Sequence, residues 1–438
     1  MRYRGQQIAV LGAGKSGIAA ARLARREGAE VCVRDTGEGS ALAETAAMLE
    51  GEGIGMMVGE AALAEAGGCD LAVISPGVDH RSALAGVFLG AGVGVIGEIE
   101  FADRHMDCPV VAITGTNGKT TTTELVAEVL NGCGQRTVAA GNYGLAYSDV
   151  VLSGESYDVV TLEVSSFQLE GIVDFRPSVS VWLNFAPDHL DRYAGVEEYR
   201  EAKLRIFENQ TEEDSAVVNY RDGLGDLKAR TITFSAFTTG ADFVFEDGRI
   251  VYGGEAVCDF GATRLRGTHN AENLMAALAV GRLRDLSWDA MSEAVRAYTP
   301  PPHRCELAAT IGGREYINDS KATNLHALEQ SLLSQGEPVV LIVGGKDKGL
   351  PFGEIADTVA GRATAVVAIG EIRDEIVREW SGSVSCEAAE GMEAAVRMAT
   401  AAAAPGQSIL FSPGTSSFDM FSGYEERGEC FKGVLTKL

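Results

Sequence analysis

The chain has 438 residues, room for roughly three domains at the usual ~150 residues each, and its 46% hydrophobic and 7% aromatic content is that of a soluble globular α/β protein. With 62 acidic against 37 basic residues and a net charge of -25, its surface would repel phosphate backbones, which excludes nucleic acid as a partner. No apolar stretch approaches the ~20 residues of a membrane span, and the N-terminus enters a strand with no signal-peptide pattern, so a cytoplasmic protein without membrane insertion is expected.

From Gln7 to Ile96 strand and helix patterns alternate: IAVL, a helix to Gly28, EVCVRD, a helix over 41–50, LAVIS, a helix over 83–91, then VGVI. Such alternation builds a parallel sheet. After the first strand comes Gly12-Ala13-Gly14-Lys15-Ser16-Gly17, a GxGxxG turn, with Asp35 closing the next strand. That is a Rossmann-like layout, suited to a nicotinamide, a flavin or any other phosphate-bearing ligand. Ala9 to Ser16 also satisfies the generic phosphate-loop pattern, but its first position lies inside the strand rather than in the turn. Ser75-Pro76-Gly77 follows the third strand pattern, where open α/β sheets place their ligands.

A second region opens near Glu98. Val110 to Thr114 (VVAIT) reads as a central strand, and Leu125, Val126, Val129 and Leu130 as a helix. Between them lies GTNGKTTTTE, 115–124. Gly115 and Gly118 let the N–H groups of Thr116, Asn117 and Thr121 close on phosphate oxygens, Lys119 neutralises the terminal phosphates, and Thr120 offers a hydroxyl to Mg²⁺. The expected ligand is ATP. VVTLEVS, VSVWLNF and AVVNY add strands, with helices over 197–208, 270–284 and 288–298, and 232–265 suggests antiparallel hairpins around Asp247-Gly248.

Four features follow the phosphate turn, at spacings consistent with successive strand ends. Glu163 closes VVTLE, where its carboxylate serves either the phosphate site or a helix cap. Asp188 and His189 follow Phe185, and imidazole is a possible metal ligand. Val196, Tyr199, Lys203 and Ile206 are spaced three, four and three, which puts Lys203 on an apolar helical stripe. It either snorkels into water or reacts with CO₂, since a desolvated amine loses basicity.

Pro300-Pro301-Pro302 breaks the chain, and PVVLIVGG, AVVAIG and SILFSP resume the buried strands beyond it. The expected parts are 1–97, Rossmann-like; 98–300, a central phosphate-loop ATPase-type domain; and 301–438, a second Rossmann-like α/β domain. Eight cysteines without a CxxC pair indicate neither zinc nor disulfides.

The runs GTNGKTT, LEVSSFQL, DHLDRY, YREAKLRIFEN, GTHNAEN, His303-Arg304, NDSKATN and SPGTSSFDMFSGYEERG closely resemble the Mur ligases of peptidoglycan synthesis, over nearly the whole chain. The last two are similar to those of the D-glutamate-adding branch. The resemblance implies a monomeric ATP-dependent ligase of cell-wall biogenesis, and hence of cell shape and division. Its substrates would be UDP-N-acetylmuramoyl-L-alanine and D-glutamate, joined through an acyl phosphate, with two Mg²⁺ ions. A sibling Mur ligase or a folylpolyglutamate synthase-like ligase is the alternative within the class, and an NAD(P)-dependent oxidoreductase the alternative outside it.

By the same resemblance, Thr120 and Glu163 match ligands of the first Mg²⁺, and His189 and a carbamylated Lys203 those of the second. Asn142 matches a contact to the acyl substrate, and Asn273, Arg304 and Asp319 match contacts to ATP. Lys321, Thr323, Lys348, Ser417 and Phe418 match positions around the amino acid or the reacting acyl group. Gly14, Lys15, Ser16, Asp35, Thr36, Ser75 and Gly77 correspond to the uridine diphosphate side. Gly37 and Gly39 depart from the more polar loop expected there, as does Lys15. Closure about the Pro300 linker is implied.

Overall fold

The structure, a computed structural model, describes residues 1–188 and 192–438; the predicted metal ligand His189 lies outside the described residues. The chain gathers into two compact units, residues 1–244, 251–258 and 273–295 in one, and residues 245–250, 259–272 and 296–438 in the other. Its strands form three sheets, in keeping with the expected α/β class. Among the described residues no helix is long and apolar enough to cross a membrane, and all eight cysteines are free thiols.

The first sheet is parallel, in the order Gly55–Val58, Glu30–Asp35, Gln7–Leu11, Leu71–Ile74, Gly94–Gly97. Gly55–Val58 is the strand the sequence did not announce. Its GMMV has a single β-branched residue, and it lies largely exposed at the sheet edge, where neither propensity nor a buried alternation marks it. Helix Lys15–Arg26 presents Ala19, Ala20, Leu23 and Ala24 to the sheet. Small residues allow a close approach, and Gly17 is where it is closest: a Cβ there would sit 1.9 Å from the carbonyl oxygen of Gly12.

Helix Glu98–Asp103 joins this sheet to the next. The Glu100 carboxylate accepts the consecutive N–H groups of Val173, Asp174 and Phe175 at 2.9, 2.9 and 2.8 Å and pairs with Arg104 at 3.0 Å. Beside it the Gly97 N–H donates to Gly171 O at 2.7 Å. The two backbones approach so closely that a Cβ on Gly171 would fall 2.6 Å from Gly97 N.

The second sheet has nine strands, with Val110–Thr114 third from one edge between Val159–Glu163 and Val179–Trp182, these three parallel. Both Val110–Thr114 and Val159–Glu163 are buried throughout, which is why they read as continuous apolar runs. Thr137–Gly141 forms the edge; its small, threonine-led sequence hid it. The antiparallel expectation for 232–265 needs correction. Arg230–Ser235 runs parallel to Ser215–Asn219 and to Phe243–Glu246; the connection 236–242 loops out and re-enters beside the strand's last two residues, with Phe243 opposite Phe234 and Val244 opposite Ser235. Two-residue turns begin only later. Asp247-Gly248 (φ 48° and 77°) and Gly253-Gly254 (φ 59° and 84°) have the left-handed pairs such turns need, and they link Phe243–Glu246, Arg249–Tyr252 and Glu255–Asp259.

The third sheet runs Glu306–Ile311, Arg314–Asn318, Ser408–Phe411, Val339–Gly344, Ala363–Ile369, Ser385–Ala388. The three predicted apolar strands form its centre. An antiparallel hairpin over Gly312-Gly313, which the sequence reading missed, opens it, and the remaining neighbours are parallel.

Candidate active site

Strand Val110–Thr114 delivers the chain into the glycine turn, and helix Lys119–Gly132 leads away from it. Gly118 is left-handed at φ 84°, and a Cβ there would lie 2.4 Å from Asn273 Oδ1, so glycine is required on both counts. Buried Asn273 accepts the Thr122 hydroxyl at 3.2 Å. The Lys119 ammonium donates to Gly115 O and Thr116 O, both at 2.9 Å.

A residue the sequence reading passed over holds the turn in shape. Asn184 Oδ1 accepts Asn117 N–H at 2.8 Å and its Nδ2 donates to Asn117 O at 3.0 Å, while Asn184 O accepts Thr116 N–H at 3.0 Å. Two residues on, the Ala186 N–H and C=O bracket the Thr116 hydroxyl at 3.0 and 3.1 Å. The signal was an amide at the end of the strand neighbouring the glycine turn, where only a polar fork could satisfy the turn's backbone.

Glu163 ends the strand on the other side, and its side chain is 3% exposed. Oε2 accepts the Thr120 hydroxyl at 2.7 Å and Oε1 accepts Asn142 Nδ2 at 2.8 Å. One carboxylate therefore gathers a predicted metal ligand and a predicted substrate contact beneath the phosphate turn. Hydroxyl and carboxylate oxygens are hard donors that suit Mg²⁺, although no cluster of three or more His, Cys, Asp or Glu side chains occurs among the described residues.

Lys203 does not snorkel. It is 1% exposed, donates to Gly115 O at 2.9 Å and lies 4.8 Å from the centroid of Tyr199, a ring packed with Tyr193 and Phe185. Burial, and next the positive charge of Lys119, push its amine well below the usual lysine range; Asp188 and Glu163 pull the other way. A buried amine of depressed basicity is a nucleophile near neutral pH.

At the first sheet's turn Asp35 accepts Ala13 N–H and Gly37 N–H, both at 2.8 Å, so the predicted acidic residue braces two backbone turns. Gly12 lies against Ser75 and Val78, with room for no Cβ. Ser75 is buried, while Gly14, Lys15, Thr36 and Gly77 are exposed and Ser16 is half-buried.

In the other unit, strand Arg314–Asn318 ends at Asp319. Burial pushes this carboxyl up to about 6, and both oxygens are engaged: Oδ1 by Cys305 N–H at 3.2 Å, Oδ2 by Ser412 Oγ at 2.9 Å and by Ser331 Oγ. Arg304 stands between two left-handed residues, His303 (φ 67°) and Cys305 (φ 47°). Such conformations are strained for side-chain-bearing residues, and here they are held: His303 Nδ1 accepts Asn318 Nδ2 at 2.9 Å and Cys305 is tied to Asp319. Lys321 Nζ lies 3.8 Å from the Tyr424 ring centroid. Thr323 is half-buried, Ser417 buried, Lys348 exposed and Phe418 66% exposed. Tyr424, which the sequence reading did not single out, is thus the aromatic against Lys321. A second unanticipated residue is Arg427, fully buried on helix Tyr424–Leu435. It donates to Ser320 Oγ at 3.0 Å, Ser320 O at 2.8 Å and Thr415 O at 3.1 Å, fixing two strand-end loops together. A charged residue in the SGYEERG motif was its only sequence signal.

Residues 113–281 match the family model described as the Mur ligase middle domain, and residues 303–414 the one described as Mur ligase, glutamate ligase domain. Proteins named UDP-N-acetylmuramoylalanine--D-glutamate ligase from Geotalea uraniireducens and Geobacter metallireducens are each 41% identical over 447 residues, covering 100% of this chain and 99% of the relative. Among solved structures, a pseudomurein peptide ligase type C from Methanothermus fervidus has a TM-score of 0.62 at 17% identity, over 99% of this chain and 100% of that one. MurF ligase from Thermotoga maritima in complex with ADP has 0.61 at 18% identity, over 99% and 96%. At these identities the structural likeness speaks for the fold, while the sequence likeness spans the whole chain: this protein belongs to the Mur ligase family.

Proposed function

We propose that the protein is the ligase that joins D-glutamate to UDP-N-acetylmuramoyl-L-alanine at the expense of ATP, a cytoplasmic step of peptidoglycan precursor synthesis. The observation that carries the reading is the Glu163 carboxylate, which ties Thr120 of the phosphate turn to Asn142 within one buried group. That is where a nucleotide and an acyl substrate would have to meet, and the full-length likeness to D-glutamate ligases supports it. Membership of a ligase family argues against the nicotinamide alternative for the first turn. We assign residues 1–97 to the uridine nucleotide, 98–300 to ATP and 301–438 to the amino acid.

In the first step a carboxylate oxygen of the lactoyl-alanine arm attacks the γ-phosphorus, and the β,γ-bridging oxygen leaves with ADP. The D-glutamate amine then adds to the acyl carbon, the nitrogen loses a proton and inorganic phosphate departs. Catalysis of this kind is positional and electrostatic. The first step brings two anions together, and Lys119 with the N–H groups of 115–121 would offset that repulsion; Asn273, Arg304 and Asp319 would seat the nucleotide. Thr120 and Glu163 would hold one Mg²⁺, and His189 with Lys203 a second, the ions supplying charge neutralisation of the phosphates. Lys203 would serve as a carbamate, formed by attack of its neutral amine on CO₂ with release of one proton; its burial beside Lys119 favours both the neutral amine and the anionic product.

Gly14, Lys15, Ser16, Asp35, Thr36, Ser75 and Gly77 would hold the uridine diphosphate. Lys321 and Lys348 would meet the D-glutamate carboxylates, with Thr323, Ser417 and Phe418 nearby and Arg427 keeping the loops in place. Phosphate release measured with UDP-N-acetylmuramoyl-L-alanine while the amino acid is varied tests the reading. Release should require both substrates and D-glutamate in particular. Release with any other amino acid at the same rate, or with none, overturns it.

A further inference from the structure

The turn assigned to the uridine nucleotide and the segment bracing the ATP turn meet through one side chain that no predicted role used. Strand Leu71–Ile74 leads into Ser75-Pro76-Gly77. Arg192 Nη1 donates to Pro76 O at 3.2 Å and Nη2 to Val78 O at 3.3 Å. The guanidinium carbon lies over the Phe167 ring, 4.0 Å from its centroid, with Glu170 at 3.4 Å and Asp79 at 3.9 Å. Glu170 is fixed in turn by the Tyr193 hydroxyl at 2.6 Å. A second tie runs alongside: Arg81 pairs with Glu198 at 2.9 Å, and the other Glu198 oxygen caps Ala194 N–H at 2.7 Å.

Arg192 stands on the stretch between Asn184, which shapes the phosphate turn, and helix Val196–Leu204, which carries Lys203 to Gly115 O. A planar fork donating to two carbonyls of one turn fixes that turn's orientation as well as its position. It is stacked on a ring and flanked by carboxylates, so it has one arrangement rather than many.

We propose that Arg192 is a positioning residue that couples the two ligand turns: nucleotide and metal bound at 115–120 set the helix that carries Lys203 and the residues 192–195 that lead into it, and Arg192 passes that setting to Ser75–Gly77. The coupling rests on the reading of 115–120 as the ATP site. By reciprocity, a ligand on either turn would tighten the other. A lysine cannot replace the fork, because one ammonium does not span both carbonyls in the same plane.

Hydrogen–deuterium exchange with Mg²⁺ and the non-hydrolysable analogue AMP-PNP tests this on the full chain, without the acyl substrate. In the wild type, exchange should slow in peptides covering 113–125 and also in those covering 75–82. In Arg192→Met, and equally in Arg192→Lys should the methionine variant fail to fold, protection at 113–125 should persist and protection at 75–82 should vanish. In turnover, the variants should raise KM for the acyl substrate at saturating ATP and KM for ATP at saturating acyl substrate by the same factor, about tenfold, while kcat stays within about twofold, a matched pair of shifts that mere loss of stability would not produce. Wild-type protein protected at 113–125 but not at 75–82, or variants that keep the 75–82 response, would overturn the coupling alone. No protection at 113–125 in the wild type would sink the ATP reading, and the coupling with it.

Discussion

Two glycine turns in this protein solve the same backbone problem and are furnished for different work. Each follows a buried parallel strand and opens a helix, and each is braced by one polar side chain from a neighbouring strand end: Asp35 for Gly12–Gly17, Asn184 for 115–118. Around the second turn stand a buried carboxylate, a buried amine, a lysine folded onto the turn's own carbonyls and a hydroxyl on the carboxylate. Around the first are the Asp35 brace, the buried Ser75 and an exposed Lys15. A phosphate turn alone is a grip; what makes it a reaction site is the shell of groups able to offset charge where bonds change.

The widest gap between the turns should come from Lys203→Ala. Turnover is expected to fall on the order of 10³-fold or more, as when a preorganised electrostatic group is removed, and formate or acetate should restore part of it; full activity in the variant would erase the distinction. Next come the braces. Asn184→Ala should raise KM for ATP and Asp35→Ala KM for the nucleotide sugar, each about tenfold for the loss of roughly 1.4 kcal/mol of hydrogen bonding. If both variants moved the same constant, the turns would not serve separate ligands. Lys15→Ala sharpens the contrast from the quiet side: an exposed lysine on the gripping turn should change kcat/KM about threefold at most, and a hundredfold loss would make it a counterpart of Lys119.

The smallest effect concerns the helix that joins the two sheets. Glu98 is buried, accepts Ser148 N–H at 2.7 Å and leaves Oε2 without a partner; burial pushes its carboxyl up from 4.5 to about 7. The folded chain therefore holds a proton that the unfolded chain has released, and this group's contribution to stability falls as pH rises from about 4.5 through about 7. Glu98→Gln should raise Tm by about 2 °C at pH 8 and leave it unchanged at pH 5. Parallel melting curves across that range would refute the assignment.

Much of this was legible beforehand wherever burial is complete. VVAIT, VVTLE and PVVLIVGG announce themselves because both faces are covered, and the glycine turn because its φ values and its lysine leave few substitutes. Edge strands such as Gly55–Val58 and Thr137–Gly141 lack that enforcement and went unread. Within the site, Glu163 and Lys203 were visible as a strand-end carboxylate and a lysine on an apolar stripe, although only the three-dimensional setting decided against a snorkelling Lys203. Asn184, Arg192 and Arg427 escaped notice because each acts on backbone atoms of a remote loop, and backbone oxygens have no letter in a sequence. Tyr424 went unread because its ring works on Lys321, a residue about a hundred positions away in the chain.

The seam at Gly97 and Gly171 bears on how such an enzyme can be recombined. A main chain pressed against a main chain leaves no side chain to adjust, and three successive amides converging on Glu100 leave no spare acceptor. An N-terminal sheet grafted from a distant cousin would have to bring both glycines and that glutamate together, so the front half of this protein should evolve as one inherited piece rather than as interchangeable cassettes.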